Sequence, residues 1–377
     1  RFRARVPALG HAVYHLQPAA EPPAAGPTAT ADRLENDSLR VDFDAAGRIA
    51  RVLDKENGRD VLAGARANQF QLFEDKPNNF DAWDIDIFYA DKELARDGDL
   101  VEAEVVEQGP VRAVVRFVRT ISKSTITQDV VLAAGSRQLD FVTTVDWGDE
   151  EHVLLKVAFP LAIRSPRVRC EIQFGSLERT THFNTPHDFA QFEMCAHKWI
   201  DLDEGDYGVA LLNDCKYGHD VRDNVMRLTL LRAPKSPDAD ADVNRTHHFT
   251  YSLLPHTGDF RQAQVVRRGY ELNVPALAQC APAHDGELAP VAGMLAVSAP
   301  GVVIDTALAE DDTSVVVRLY EAHGSRGKCV VTTSLPFGDV AEVNLLEREP
   351  RPLRRRKAGF SFDFEPYEIR TFKLSPA

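Results

Sequence analysis

The sequence predicts an all-β protein of the sandwich class. Three observations carry that expectation: apolar residues recur with a period of two, turn residues punctuate the chain at short spacing, and few stretches hold a helical period. In chain order, VPALGHAVYHL (6–16) is a short apolar run flanked by Pro7 and Gly10, and residues 1–16 read as the terminal strand of a preceding domain. Residues 17–31, QPAAEPPAAGPTATA, are rich in Pro and Ala without periodic apolar signal, which marks a linker and a domain boundary. Leu39, Val41 and Phe43 then alternate with polar residues, Asp44-Ala45-Ala46-Gly47 supplies a turn, and Ile49 to Leu53 returns as the second arm of a hairpin. The same period runs through Val111 to Ile121, Thr125 to Leu132 and Leu139 to Trp147, with Gly135-Ser136 turning between the last two, so long antiparallel strands are expected. Tyr207, Val209, Leu211 and Leu212 read as a mostly buried strand, and Met226 to Leu231 as another. CAPAHDGELAP (280–290) is loop-like, after which alternation resumes at Val302 to Ile304, Val315 to Tyr320, Val330 to Leu335, Phe360-Phe362-Phe364 and Tyr367 to Leu374. No internal repeat is present.

Composition narrows the function classes. With 57 acidic against 44 basic residues the net charge is −13, opposite to the clustered positive face that nucleic-acid binding requires. The basic run Arg351 to Lys357 is broken by Pro352 and Leu353 and precedes Gly359, which favours a solvated hairpin turn. No apolar run is long enough to cross a bilayer as a helix, so no membrane partner is expected. Five scattered cysteines, Cys170, Cys195, Cys215, Cys280 and Cys329, form no C-x-x-C pair and fit free thiols in a reducing, cytoplasmic compartment. Cys195 and Cys215 sit beside apolar residues and are expected to be small core side chains.

Two segments carry candidate chemistry. In QFEMCAHKWIDLDEGDYGVALLNDCKYG (191–218) an apolar strand runs into a turn where Asn213, Asp214, Lys216 and Tyr217 offer an amide, a carboxylate, an ammonium and a phenol, with Trp199 nearby in sequence. A sugar presents hydroxyls on its rim and C–H groups on its face, so paired polar groups beside an aromatic plane suit it. The plainer alternative is an Asx-type turn in which Asp214 bonds nearby amides and Gly218 takes a positive φ. In NFDAWDID (79–86), Asp81, Asp84 and Asp86 surround Trp83; they either hold sugar hydroxyls under a stacking indole, or cap turns while Trp83 plugs a core edge. Arg232 ends a strand and leads into an acidic loop. It either clamps sugar hydroxyls with its planar donors or pairs with Asp238, Asp240 or Asp242. His197, His247, His248 and His256 lack an assigned partner and are read as structural. No His-x-Asp pattern occurs, so neither a metal site nor a catalytic residue is assigned within the chain.

These segments, together with FEDKPNNFDAWDIDIFYADK (73–92), FGSLERTTHFNTPHD (174–188), FTYSLLPHTGDF (249–260), VVVRLYEAHG (315–324) and EPYEIRTFKL (365–374), closely resemble, in order, the C-terminal half of glycoside hydrolase family 38, the retaining α-mannosidases of bacterial and cytosolic type. His187 stands where the family often has an aromatic residue, and Ile87 where a Pro is common. The resemblance implies a large galactose-mutarotase-like β-sandwich (supersandwich) over residues 32–273 and a smaller C-terminal β-sandwich over 274–377. It also implies that zinc and the aspartate nucleophile belong to an N-terminal α/β domain that would precede Arg1. This chain is then a fragment, inactive alone, whose partners are that catalytic domain and an α-mannoside or oligosaccharide; homo-oligomerisation is left open. On the same resemblance, a loop from the 81–86 region approaches the catalytic domain, and Arg232 with its acidic loop lies toward the substrate cleft. Two other functions compete: an autonomous carbohydrate-binding module, and a mutarotase-like isomerase working through a His and a Glu.

Overall fold

Strand formation follows the alternation closely: in Leu39–Phe43 the odd positions are buried and the even ones half-exposed, and Leu139–Trp147 repeats the pattern. In the computed structural model, which describes residues 2–18, 25–237, 243–282, 284–309 and 314–376, these strands assemble into antiparallel sheets. Asp44 makes the first hairpin turn, its carbonyl accepting from Gly47 and its carboxylate from the Ala46 and Arg48 amides. Gly47 sits at φ 66°, and a Cβ there would come within 2.6 Å of the Phe117 ring, so both backbone and space require glycine.

The described residues fall into two compact units. The larger comprises 22–171 and 177–276, the smaller 277–377 with 1–21 and 172–176. In the larger unit, the central strands of a nine-stranded sheet are Tyr207–Asn213, Arg245–Thr257, Leu139–Trp147, Ser124–Ala133 and Arg112–Ile121 in spatial order. A six-stranded sheet centred on Val153–Pro160 and Val225–Arg232 faces it. A five-stranded sheet from the chain's first hairpins adds to the same core. Phe141 meets Phe159 across that core at 5.7 Å between ring centroids, and Phe43 meets Phe117 at 4.9 Å. The expected all-β fold is therefore present, with a large sandwich preceding a small one.

In the smaller unit, Gly327–Thr333 and Gly359–Phe364 of a three-stranded sheet pack on Val315–Glu321 and Ile369–Ser375 of a five-stranded one, through Val317, Leu319, Cys329, Val331, Phe360 and Phe372. Gly10–Ala12, read in the sequence as closing an earlier domain, pairs with Val291–Gly293 inside this unit. Of the expected linker, residues 19–24 lie outside the described residues, while Thr28–Thr30 forms a strand against Arg33–Glu35. In the basic run every residue except Leu353 is exposed, and only Arg351–Pro352 is a strand.

Two sequence readings need correction here. Cys195 and Cys215 are exposed, whereas Cys170 and Cys329 are the buried thiols. Apolar neighbours misled because Cys195 ends a two-residue edge strand and Cys215 lies in a turn. Gly218 has no positive φ; it opens the strand Gly218–Arg222 opposite Cys195. Helix is scarce, as expected, and includes the nine-residue segment Val265–Asn273 whose Val265, Val266 and Gly269 are buried.

Candidate functional site

Strand Val153–Pro160 shows how the site is built. Its side chains alternate: Leu155, Val157 and Phe159 enter the main core, while Leu154 and Lys156 point to the outer face of the six-stranded sheet. That face is not left to solvent. Segment 75–92 crosses it, with Tyr89 packing on Phe73 at 5.3 Å in a small cluster that includes Leu154, Ile85 and Phe192.

Lys156 is fully buried and donates to Tyr89 Oη at 2.9 Å, to Asp220 Oδ2 at 2.6 Å and to Glu193. The Tyr89 hydroxyl in turn donates to Glu193 Oε1 at 2.5 Å. Burial alone would neutralise the lysine, but Asp220, Glu193 and Tyr89 outweigh it and hold the ammonium charged well above its ordinary range. Burial pushes the Glu193 carboxyl up despite the lysine beside it. The cluster therefore fastens segment 75–92 and residue 193 to the sheet.

His219, adjacent to Asp220, is wholly buried, and its Nδ1 lies 3.2 Å from the Tyr217 carbonyl, which makes Nδ1–H the donor of a neutral ring. Burial lowers its pKa from 6.5 to about 4. Between those values the unfolded chain binds the extra proton, so the stabilisation is complete above pH 6.5 and drains away as pH falls toward 4, by up to ~3 kcal/mol. We expect denaturant midpoints to fall on acidification from pH 7 to pH 4 more steeply for the parent than for His219→Asn, which keeps a donor to Tyr217 but cannot titrate; parallel curves would remove His219 from this role.

A second fastening involves the residues singled out in the sequence. Arg232 does clamp, but its targets are protein: Nε donates to buried Asp75 at 2.6 Å, and Nη2 to the carbonyls of Asp81 and Asp84 at 3.0 and 2.7 Å. Asp238, Asp240 and Asp242, its alternative partners, lie outside the described residues. Asp81 is buried and accepts from the amides of Lys235 and Ser236 at 2.8 and 2.7 Å, with His152 Nδ1 3.0 Å away. Burial opposes its ionisation, yet the two amides and the imidazole leave the carboxyl below its ordinary value. Asp86 accepts from the Asn78 amide. Both carboxylates are thus turn-builders, while Asp84 remains exposed. Trp83 does not plug the core: 68% exposed, it leans on Phe80, itself 56% exposed, at 5.5 Å, and Phe88 is exposed on the same segment.

The loop 213–217 divides differently. Asn213, fully buried, is the residue that makes the Asx turn, its side-chain oxygen accepting from the Lys216 amide at 2.7 Å and its Nδ2 donating to the His197 carbonyl. Asp214 is part-buried and accepts from the Thr250 amide through Oδ2 at 2.9 Å. Lys216 lies 4.6 Å from the centroid of Phe249, where burial lowers its pKa. Tyr217 is half-exposed, edge-on to His197 at 5.1 Å. Trp199, expected as a sugar platform, is 1% exposed and stacks on Phe260 at 5.5 Å. It is a core residue: strand Trp199–Asp203 is covered on both faces, which sequence proximity to a polar turn could not reveal.

The structure thus brings Asp81, Trp83, Asp84 and Arg232 together, and connects them through Tyr89, Lys156, Asp220 and His219 to Tyr217 and the 213–217 loop. Sequence reasoning missed Asp75, His152, Lys156, Glu193 and Asp220. One signal was available, a lone lysine inside the apolar run VLLKVAFP, since a lysine on a strand buried on both faces needs a counter-charge. Among the described residues no three His, Cys, Asp or Glu side chains are grouped so as to hold a metal ion, and no helix is long and apolar enough to cross a membrane.

Comparison with known proteins adds the lineage. Residues 34–240 match the glycosyl hydrolases family 38 C-terminal domain, and residues 302–372 the glycosyl hydrolases family 38 C-terminal beta sandwich domain. Alpha-mannosidase 2C1 of Mus musculus is 42% identical over 349 residues, covering 90% of this chain and 33% of its own length. Alpha-mannosidase G of Dictyostelium discoideum is 36% identical over 356 residues, 90% of this chain and 32% of its own. The chain therefore spans about a third of the length of these relatives. Among solved structures, an alpha-mannosidase from Enterococcus faecalis V583 superposes with a TM-score of 0.74 at 17% identity, over 91% of this chain and 42% of that one, a likeness of fold.

Proposed function

This chain belongs to glycosyl hydrolase family 38, as its C-terminal region, and from that premise we propose that it is the non-catalytic β-region of a retaining α-mannosidase. In this reading it packs on a preceding zinc-bearing catalytic domain and lends loops to the rim of the mannoside site. The zinc and the nucleophile belong to that preceding domain.

One observation carries the reading. Segment 75–92 is anchored at both the Lys156 cluster and Arg232, yet it presents Phe80, Trp83 and Phe88 outward. An anchored loop cannot relieve apolar exposure by refolding locally, so a surface that covers these rings is favoured. Asp84 and Tyr217 supply exposed polar groups of the kind a sugar rim uses. The family's relatives named mannosidases support the substrate class. The unpaired cysteines support a reducing, cytoplasmic setting.

Amide hydrogen exchange tests the packing. Residues 77–90 are expected to exchange more slowly in a longer polypeptide that carries the preceding domain than in the isolated chain. Equal exchange rates in the two would mean that nothing covers the loop.

A further inference from the structure

We propose that the larger unit holds a separate binding site for a neutral pyranose sugar, in the cleft lined by Arg167, Arg169, Glu178, Asp203, Asp259 and Arg261. The cleft encloses about 310 Å³, the lower end of the range of small-molecule sites and suited to a monosaccharide-sized ligand. It lies at the edge of the nine-stranded sheet and shares no residue with the aromatic loop, so it does not rest on the reading of that loop.

Its walls are chemically one-sided. Guanidinium groups only donate and ionised carboxylates only accept. Arg167 and Arg169 are held in place by Glu178 at 3.0 and 2.5 Å. Arg169 and Arg261 both flank the Phe260 ring, at 4.8 and 5.3 Å from its centroid. Facing them, Asp259 accepts from the amides of Arg261 and Gln262, which fixes its orientation. Burial and the neighbouring Asp201 and Asp259 raise the pKa of Asp203.

Asp201 also belongs to the cleft lining. Its side chain is fully buried, Oδ1 takes His256 Nε2 at 2.7 Å, and Oδ2 has no partner among the described residues. An anion would meet the aspartates and a cation the arginines. Vicinal hydroxyls, each both donor and acceptor, satisfy both walls without adding charge.

Titration of the isolated chain with methyl α-D-mannoside, followed by saturation-transfer NMR and calorimetry, tests the site. We expect saturable binding in the millimolar range, weakened about tenfold or more by Asp203→Asn and by Arg261→Ala, with thermal midpoints near the parent and Arg326→Ala binding as the parent does. Two variants are used because either alone could perturb folding. Absence of saturable binding overturns the proposal, as does binding that survives both substitutions or that is abolished by Trp83→Ala instead. The last result would move the sugar to the aromatic loop and leave the packing test above untouched.

Discussion

Replacing Lys156 by methionine should lower the stability of the larger unit by about 3–5 kcal/mol, the range for removing one member of a buried ion pair. The reasoning is electrostatic. Methionine matches the lysine stem in length, so the loss is chiefly the ammonium. Without it Asp220 and Glu193 face each other inside the sheet's covered outer face with Arg227 3.6 Å from Asp220 as the remaining cation nearby. Tyr89 also loses the group it accepts from at 2.9 Å. The check is a chemical-denaturation midpoint for Lys156→Met and for the combination with Glu193→Gln and Asp220→Asn. Neutralising the two carboxylates should recover part of the loss, because the penalty lies in the uncompensated charges; a purely additive combination would argue that packing, not charge, made the lysine necessary.

The second large effect is expected in the longer polypeptide of the proposal. In a longer polypeptide that includes the preceding domain, Trp83→Ala should reduce kcat/KM on an aryl α-mannoside by about tenfold, equivalent to ~1.4 kcal/mol, mostly through KM if the indole borders the sugar. Arg232→Ala should reduce it further, because Arg232 holds the carbonyls of Asp81 and Asp84 and compensates buried Asp75. Arg232 is a positioning residue in this account. Arg232→Lys, which keeps the charge on Asp75 but not the two-carbonyl fork, should fall between parent and alanine variant. If Trp83→Ala leaves both kinetic constants unchanged, the loop's exposed rings serve something other than the substrate rim.

The fold was largely legible because sandwich strands with one covered face write their orientation into the sequence. Leu39, Val41 and Phe43 announce themselves in that way, as does Leu139 to Trp147. Val153–Pro160 did not, because both its faces are covered: one by the core, the other by segment 75–92, so its residues read as a continuous apolar run. The short helix Val265–Asn273 was hidden by its brevity and by the arginines on its outward face. The site was legible only in part. Asx turns follow from local chemistry, so a turn at 213–218 was expected, although Asn213 and not Asp214 makes it; that Trp83 and Tyr217 stand exposed depends on the packing around them, which local sequence does not encode. Arg232–Asp75, Lys156–Asp220 and His256–Asp201 join residues far apart in sequence, and no local pattern encodes such pairs. Trp199 failed for the converse reason. Its neighbour in space is Phe260, not the polar turn that follows it in the chain.

The central claim is that this β-region supports catalysis without performing it. Hydrolysis of an aryl α-mannoside, measured with added zinc for the isolated chain and for a longer polypeptide carrying the preceding domain, tests that most directly. The account predicts turnover by the longer polypeptide alone; glycosidase turnover by the purified 377-residue chain would contradict it.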